Sequence, residues 1–161
     1  MKAIFLDIDG VLNSYSADPR YRSKSNCGCY TGIDKDKTKR LATIVEQTDA
    51  ILVLTSSWKV NWNYFENRIT KYLINHLKKK GNLTLAGLTK ERDANMRGSG
   101  IRNYLIQHPE ILSWIVLDDE IFPDYEKENI IPHLLKINGN YGLTDADAEA
   151  AIKMLNKRSM K

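Results

Sequence analysis

The sequence has little of what exported, disulfide-stabilised or membrane proteins need. It has two cysteines, Cys27 and Cys29, and one Cys-Gly-Cys cannot form a disulfide framework or a four-ligand zinc site. The N-terminus turns acidic at Asp7 without the apolar stretch of a signal peptide. No window approaches the ~18 consecutive apolar residues of a membrane span. We therefore expect a protein of the reducing cytoplasm that has no membrane partner.

The excess of charge of one sign is also small. Lys and Arg number 24 against 20 Asp and Glu, and a net charge of +4 favours anionic partners only weakly. With 42% hydrophobic and 27% charged residues in 161 positions, the composition is typical of a globular protein. No repeat, low-complexity tract or linker divides the chain, so we expect a single domain over residues 1–161.

Three short apolar runs each end in a polar cluster. They lie at 3–6, 51–54 and 114–117, and each is typical of a buried parallel strand. Amphipathic helical patterns separate them, with apolar faces at Leu41, Ile44 and Val45, at Phe65, Ile69, Tyr72 and Leu73, and at Ile101 and Leu105. This alternation predicts an α/β fold with a parallel sheet covered by helices.

Weaker patterns complete the predicted elements. Strands are expected at 83–88 and 134–137, and a last helix at 145–157, where Thr144 is the N-cap and an acidic residue follows three positions on. Residues 13–32 are polar and show neither helical nor strand period. They indicate a long loop or small hairpin inserted after the first strand, in a place where long loops often act as lids.

The residues that follow the three apolar runs are the candidates for chemistry, because open parallel sheets bind ligands beyond the carboxyl ends of their strands. They are Asp7 and Asp9, then Thr55, Ser56 and Ser57, then Asp118 and Asp119. Four carboxylates so close repel one another unless a cation joins them. Mg²⁺ is the usual choice where carboxylates, water and a substrate phosphate are the ligands. We therefore predict a Mg²⁺ site at the four aspartates.

The spacing Asp7-x-Asp9 places both carboxylates on one side of an extended backbone. Covalent phosphoryl transfer needs one carboxylate to attack phosphorus and a second group to move the proton. Asp7 is predicted as the nucleophile and Asp9 as the general acid and base. Gly10 lets the backbone turn and approach the phosphoryl oxygens, and the hydroxyls of Thr55 and Ser56 can bind the same group.

A cation is also needed, because phosphoryl transfer gains from a positive side chain that binds the transferring oxygens. The candidates are Lys59, Arg97 and Arg102. We favour Arg97, since Arg97-Gly98-Ser99 opens a predicted helix whose N-terminal amides attract anions.

Together these motifs resemble a known family. FLDIDGVLN at 5–13 is similar to the first motif of haloacid-dehalogenase-like (HAD) hydrolases, the aspartate-nucleophile phosphatases. LVLTSSW at 52–58 resembles the second motif, with Thr55 as the phosphate-binding hydroxyl, and IVLDD at 115–119, with Asp124 beyond it, resembles the acidic fourth motif. The order TSSW, RGxxIR, LDD and GLT is similar to a compact subgroup described as the HAD domain of Swiss-army-knife RNA repair proteins. The third motif, a Lys followed by Pro in many relatives, has no clear copy here.

The resemblance implies a Rossmann-like three-layer sandwich with a minimal cap, and a phosphatase that uses Mg²⁺ and an aspartyl-phosphate at Asp7. The implied metal ligands are Asp7, the main-chain carbonyl of Asp9, and an acid of the fourth motif, with Asp118, Asp119 and Asp124 left open. A small cap leaves the site accessible to extended substrates. A phosphorylated small molecule such as a nucleotide and a phosphorylated nucleic-acid end are therefore both candidate substrates.

Two other classes of function remain as alternatives. A phospho-accepting signalling domain also combines clustered aspartates, a hydroxyl residue and a cation, but such domains carry the adjacent acids early in the chain, whereas Asp118 and Asp119 come late. A non-catalytic nucleic-acid-binding module would use the basic balance and the aromatic residues Trp58, Trp62 and Tyr64. Retention of every acidic position disfavours it.

Overall fold

The computed structural model describes residues 1–16 and 32–157. Most of the insert predicted at 13–32 lies outside the described residues, and so do Cys27 and Cys29. The lid role of that insert therefore stays a prediction.

Strands and helices alternate along the described part of the chain. The strands are β1 (Lys2–Leu6), β2 (Ala50–Leu54), β3 (Leu85–Leu88), β4 (Ser113–Asp118) and β5 (Leu134–Lys136). The helices are α1 (Lys35–Thr48), α2 (Arg68–Gly81), α3 (Arg97–Gln107) and α4 (Asp145–Asn156), with short 3₁₀ helices at Ser57–Lys59 and Ile131–His133. The strands are parallel in the order β3-β2-β1-β4-β5, which confirms the predicted α/β fold. Within these described residues, no helix has the length and apolar content that crossing a bilayer requires.

Helices cover both faces of β1, the central strand. Ile4 and Leu6 point into a cluster formed with α1, α2 and α4, whereas Ala3 and Phe5 point into a second cluster that includes Ile101 of α3. A strand buried on both faces must be apolar at successive positions, which explains its continuous run. Each large side chain buried here stabilises the fold by about 1.5–3 kcal/mol. The result is the three-layer arrangement of a Rossmann-like sandwich.

The register of the sheet brings the candidate residues to one edge. Leu6 is paired with Leu54 on one side and Leu117 on the other. Hydrogen bonding continues one residue further, since the amide of Asp7 donates to the carbonyl of Leu117 and the amide of Thr55 donates to that of Leu6, both at 2.9 Å. The backbone positions of Asp7 and Thr55 are thus set by the sheet itself.

Boundaries predicted from sequence differ from the structure mainly at the weaker elements. The strand predicted at 83–88 is shorter, because β3 begins two residues later, and the strand predicted at 134–137 ends one residue earlier. The capping box predicted at Thr144 is confirmed, with Asp147 as its partner. Helix α4 ends one residue before the predicted limit.

One predicted helix face is wrong at its start. The pattern places Phe65 on the buried face of α2, but the helix begins at Arg68 and Phe65 is 89% exposed. Asn67 is the N-cap, with an extended backbone, and its side chain accepts hydrogen bonds from the amides of Ile69 and Thr70. Because the N-cap fixes the start of the helix at Arg68, Phe65 lies before the helix and not on its buried face.

Candidate active site

Three carboxylates meet beyond the carboxyl ends of β1 and β4. Asp7, Asp118 and Asp119 each offer an oxygen atom, and these atoms lie within 4.8 Å of one another. Asp7 and Asp118 are buried, so they have lost most of the water that would screen their charge. The structure therefore brings three of the four predicted metal-binding carboxylates into one group.

Burial and repulsion favour the protonated forms of these acids. Burial raises the pKa of Asp7. Burial, followed by the charge of Asp7, raises the pKa of Asp118 to about 7 and that of Asp119 to about 6. A hard divalent cation would reverse this preference, because it pairs with the ionised carboxylates. Three converging carboxylate oxygens are ligands of the kind that Mg²⁺ prefers.

Arg97 bridges two members of the group. Its Nη1 lies 2.9 Å from Oδ2 of Asp118 and 3.2 Å from Oδ1 of Asp7. The guanidinium also lies over the ring of Phe122, with its Cζ 4.2 Å from the ring centroid, and this cation–π contact adds to its fixation. One fixed positive charge thus faces the predicted nucleophile.

The other two candidate cations have different partners. Lys59 borders the site, since its Nζ donates to the carbonyl of Thr55 at 2.9 Å, but it also forms a close ion pair with Glu91. Arg102 donates to the main-chain carbonyl of Glu128. Of the three candidates, Arg97 is therefore the one in contact with Asp7.

The N-terminus of α3 does bind an anion, but that anion belongs to the protein. The amides of Gly98 and Ser99 donate to Oδ1 and Oδ2 of Asp124, at 3.0 and 2.7 Å. Asp124 thereby caps the helix from the loop that follows β4. The sequence predicted that these amides attract an anion at the site, but Asp124 already occupies both of them. Asp124 serves as a cap, whereas its neighbours in the fourth motif lie with Asp7.

The two adjacent acids of the fourth motif differ in how they are held. Oδ2 of Asp118 accepts hydrogen bonds from Arg97 and from the hydroxyl of Tyr125, each at 2.9 Å, and its Oδ1 accepts from the amide of Glu120 at 3.0 Å. Asp119 instead packs on the backbone of Gly10. A Cβ added to Gly10 would lie 2.3 Å from Cγ of Asp119, and its φ of 72° is in the left-handed region.

Asp9 is held apart from this group by two donors. Nδ2 of Asn13 donates to its Oδ1, and Nε1 of Trp58 donates to its Oδ2, both at 2.8 Å. Its carboxylate is therefore oriented by neighbouring side chains. The metal-binding role predicted for Asp9 rests on its main-chain carbonyl, as the family resemblance implies.

Two buried oxygens at the site have no hydrogen bond within the described part of the chain. They are Oδ1 of Asp7, whose ionic contact is with Arg97, and Oγ1 of Thr55. Burial raises the pKa of Asp7, whereas the charge of Arg97 and the side chain of Ser56 lower it by a smaller amount. An unsatisfied buried polar atom costs about 1–3 kcal/mol, so each of these two oxygens would gain from a ligand that satisfies it.

Comparison with known families agrees with this geometry. Residues 3–148 match the sequence model of a family described as the HAD domain in Swiss Army Knife RNA repair proteins. The chain belongs to this family. Searches among curated proteins and among solved structures gave no match. Membership confirms the HAD resemblance and its Rossmann-like fold, and it supports a HAD-like hydrolase whose buried aspartates are compatible with a divalent metal.

The sequence alone does not identify three side chains that shape this HAD site: Asn13, Trp58 and Tyr125. Asn13 and Trp58 lie inside the first and second motifs, so their positions beside the predicted catalytic residues were available as a signal. Their shared contact with Asp9 could not be predicted, because it brings Trp58 to a residue 49 positions away in the sequence. Tyr125 has no sequence signal, since its hydroxyl meets Asp118 only through the loop after β4.

Proposed function

We propose that this HAD domain is a Mg²⁺-dependent phosphatase that hydrolyses a phosphomonoester through an aspartyl-phosphate on Asp7. One observation carries the proposal. Among the described residues, Oδ1 of Asp7 and Oγ1 of Thr55 are buried and have no hydrogen bond, and both lie at the carboxyl edge of the sheet, where the guanidinium of Arg97 forms an ion pair with Asp7. Nucleophile, phosphate ligand and cation are the parts that phosphoryl transfer requires.

Mg²⁺ would be held by the carboxylates of Asp7 and the fourth motif together with the main-chain carbonyl of Asp9. Both oxygens of Asp118 already accept hydrogen bonds, which leaves Asp119 as the freer ligand. When bound, the ion supplies positive charge that offsets the repulsion among the acids and the charge of the phosphoryl group.

The reaction divides into two transfers in which Asp7 and Asp9 have separate roles. In the first, an oxygen of Asp7 bonds to phosphorus while the bond from phosphorus to the substrate oxygen breaks, and Asp9 gives that oxygen its proton. In the second, a water oxygen bonds to phosphorus, the bond to Asp7 breaks, and Asp9 takes a proton from the water. One water is consumed, an alcohol and inorganic phosphate are released, and both aspartates are restored.

The remaining residues would bind the phosphoryl oxygens. Arg97 supplies a fixed charge, and Thr55 supplies a buried hydroxyl that has no hydrogen bond to any residue the structure describes. Ser56 and the turn at Gly10 complete the binding surface in this proposal. Because the groups are fixed before the substrate arrives, little reorganisation is needed during the reaction.

We propose a nucleotide or a phosphorylated nucleic-acid end as the substrate. The description of the family, which refers to RNA repair proteins, and the net charge of +4 support this class. A small phosphorylated metabolite would use the same chemistry, so the substrate panel has to separate them.

The test measures phosphate release with Mg²⁺ and with a chelator from an aryl phosphate, nucleotides, and 5′- and 3′-phosphorylated oligonucleotides. Asp7→Asn should lose metal-dependent release while it keeps the fold, because the amide cannot attack phosphorus. Asp49→Asn is a matched control, since Asp49 is an exposed C-cap with φ of 55°, where Asn is well tolerated. Substantial turnover by Asp7→Asn would remove Asp7 from the mechanism.

Two results would favour the alternative functions. A phosphorylated Asp7 that persists without release of phosphate would indicate a phospho-accepting signalling domain. Binding of oligonucleotides that weakens with salt, without release from any substrate, would indicate a nucleic-acid-binding module.

A further inference from the structure

Both oxygens of the Asp9 carboxylate accept a hydrogen bond from a different part of the fold. Asn13, in the loop after β1, donates to Oδ1, and Trp58, in the 3₁₀ helix after β2, donates to Oδ2, each at 2.8 Å. A carboxylate held at both oxygens cannot turn about its Cβ–Cγ bond without losing one of these bonds. Each oxygen keeps a second lone pair, so it can still accept or release a proton.

Trp58 is a rigid donor. Only 4% of it is exposed, and it belongs to the core cluster that lies against β1. Its backbone amide donates to Oγ of Ser56 at 3.3 Å, and its ring packs at a tilt against Tyr72 with centroids 6.3 Å apart. The indole nitrogen has a single N–H, so its direction is fixed once the ring is packed.

Asn13 is anchored equally well. Its Oδ1 accepts from the amide of Gly10 at 2.8 Å, and its Nδ2 also donates to the carbonyl of Gly32 at 3.0 Å. Asn13 is fully buried, so these bonds are shielded from water. The two donors on Asp9 therefore both belong to parts of the structure that cannot easily shift.

We propose that Trp58 is a positioning residue that acts through Asp9 by holding its carboxyl group for proton transfer. The inference rests on the proposed function, in which Asp9 moves the proton. A general acid must lie about 2.6–3.2 Å from the atom it protonates, so rotation of the carboxyl would separate the two. The packing of Trp58 explains its burial, but packing alone does not require its N–H to meet a carboxylate.

The test separates the N–H from the ring with Trp58→Phe, which keeps an aromatic side chain and removes the donor. Trp62→Phe is the matched control, because Trp62 packs against the same core cluster from a half-buried position. Both variants are first compared with the wild type by circular dichroism and thermal unfolding. The measured quantity is kcat/KM, which reports the steps up to formation of the aspartyl-phosphate.

Two substrates reveal whether the proton transfer is affected. An alkyl phosphate has a poor leaving group that needs the proton, whereas p-nitrophenyl phosphate has a good one that needs it much less. Since general acids contribute about 10²–10⁴-fold, we expect Trp58→Phe to lower kcat/KM at least about tenfold for the alkyl phosphate and less than about threefold for p-nitrophenyl phosphate. Trp62→Phe should leave kcat/KM unchanged for both substrates.

A double-mutant cycle with Asp9→Asn gives the second readout. If Trp58 acts through Asp9, the roughly tenfold loss of kcat/KM that Trp58→Phe causes with the alkyl phosphate should shrink to less than about twofold once Asp9 has been replaced. Equal losses for both substrates, or losses that multiply in the double variant, would overturn the proposal and leave Trp58 as a packing residue. Failure of the wild type to release phosphate would reject the proposed function itself, and this inference with it.

Discussion

Replacement of Gly10 by alanine should damage the site through two separate effects. Gly10 has φ of 72°, a conformation that costs a residue with a Cβ about 1–2 kcal/mol. For a chain of this size, that loss lowers the melting temperature by about 2–8 °C. The new Cβ would also lie 2.3 Å from Cγ of Asp119, where ordinary contact begins at 3.4 Å. The Asp119 carboxylate must therefore move by about 1 Å away from Gly10, which changes its position relative to Asp7.

That displacement sets the expected loss of activity. A shift of about 1 Å in a positioned group can cost on the order of 10²-fold in rate. We expect Gly10→Ala to lower phosphate release by about that factor and to raise the Mg²⁺ concentration needed for half-maximal activity. The assay is a Mg²⁺ titration of phosphate release, with thermal unfolding of the same protein measured in a chelator.

Gly139 provides the matched comparison. A Cβ at Gly139 would lie 2.6 Å from Oδ2 of Asp119, but its backbone is outside the left-handed region. Gly139→Ala should therefore disturb Asp119 with a smaller loss of stability. Near-wild-type release and Mg²⁺ dependence in Gly10→Ala would refute the reasoning, because the position of Asp119 would then be unimportant.

Two further predictions concern the surroundings of the acids. Asp124→Ala removes both acceptors from the amides of Gly98 and Ser99, so it should lower the free energy of unfolding by about 0.5–2 kcal/mol. Because the start of α3 carries Arg97, the change should also lower phosphate release. Unchanged thermal unfolding would contradict the role of Asp124 as a cap. Without metal, Asp118 should stabilise the fold more at pH 5 than at pH 8, whereas burial lowers the pKa of His76 and of His133 and these two groups act in the opposite direction. The pKa of Asp118 is raised from 3.8 to about 7, so between these values the folded chain binds a proton that the unfolded chain has lost, and the free energy of unfolding falls as pH rises. Thermal unfolding of the wild type and of Asp118→Asn in a chelator at both pH values isolates this contribution, and Mg²⁺ should restore stability of the wild type at pH 8.

The sheet could be predicted because its signals are local. The runs that form β1, β2 and β4 are apolar at successive positions, and only burial on both faces explains such a run. Parallel pairing then dictates that Asp7, Thr55 and Asp118 share one edge. Phe65 could not be placed correctly, because it fits the apolar period of α2 although the N-cap at Asn67 makes the helix begin only at Arg68.

The partners of the site residues were beyond sequence reasoning for a different reason. Asp124 lies 26 positions from Gly98, and Trp58 lies 49 positions from Asp9, yet each pair forms a direct hydrogen bond. Such contacts depend on how loops from different strands cross above the sheet. No period or spacing in the sequence encodes that crossing. Asp124 could therefore not be identified from the sequence as the anion bound at the start of α3.

Asp7 and Asp9 come from the same short segment, and the contrast in their surroundings supports two separate roles. In the described part of the structure, Asp7 keeps one buried oxygen without a hydrogen bond, beside the guanidinium of Arg97. Such an oxygen has an electron pair available to attack phosphorus and a cation to stabilise the developing charge. Asp9 has both oxygens fixed by Asn13 and Trp58, which suits the proton-transfer role that we propose for it. Exchange of the two roles would require the held carboxylate to move toward phosphorus and break both bonds, so the surroundings of each acid favour the assignment of Asp7 as nucleophile.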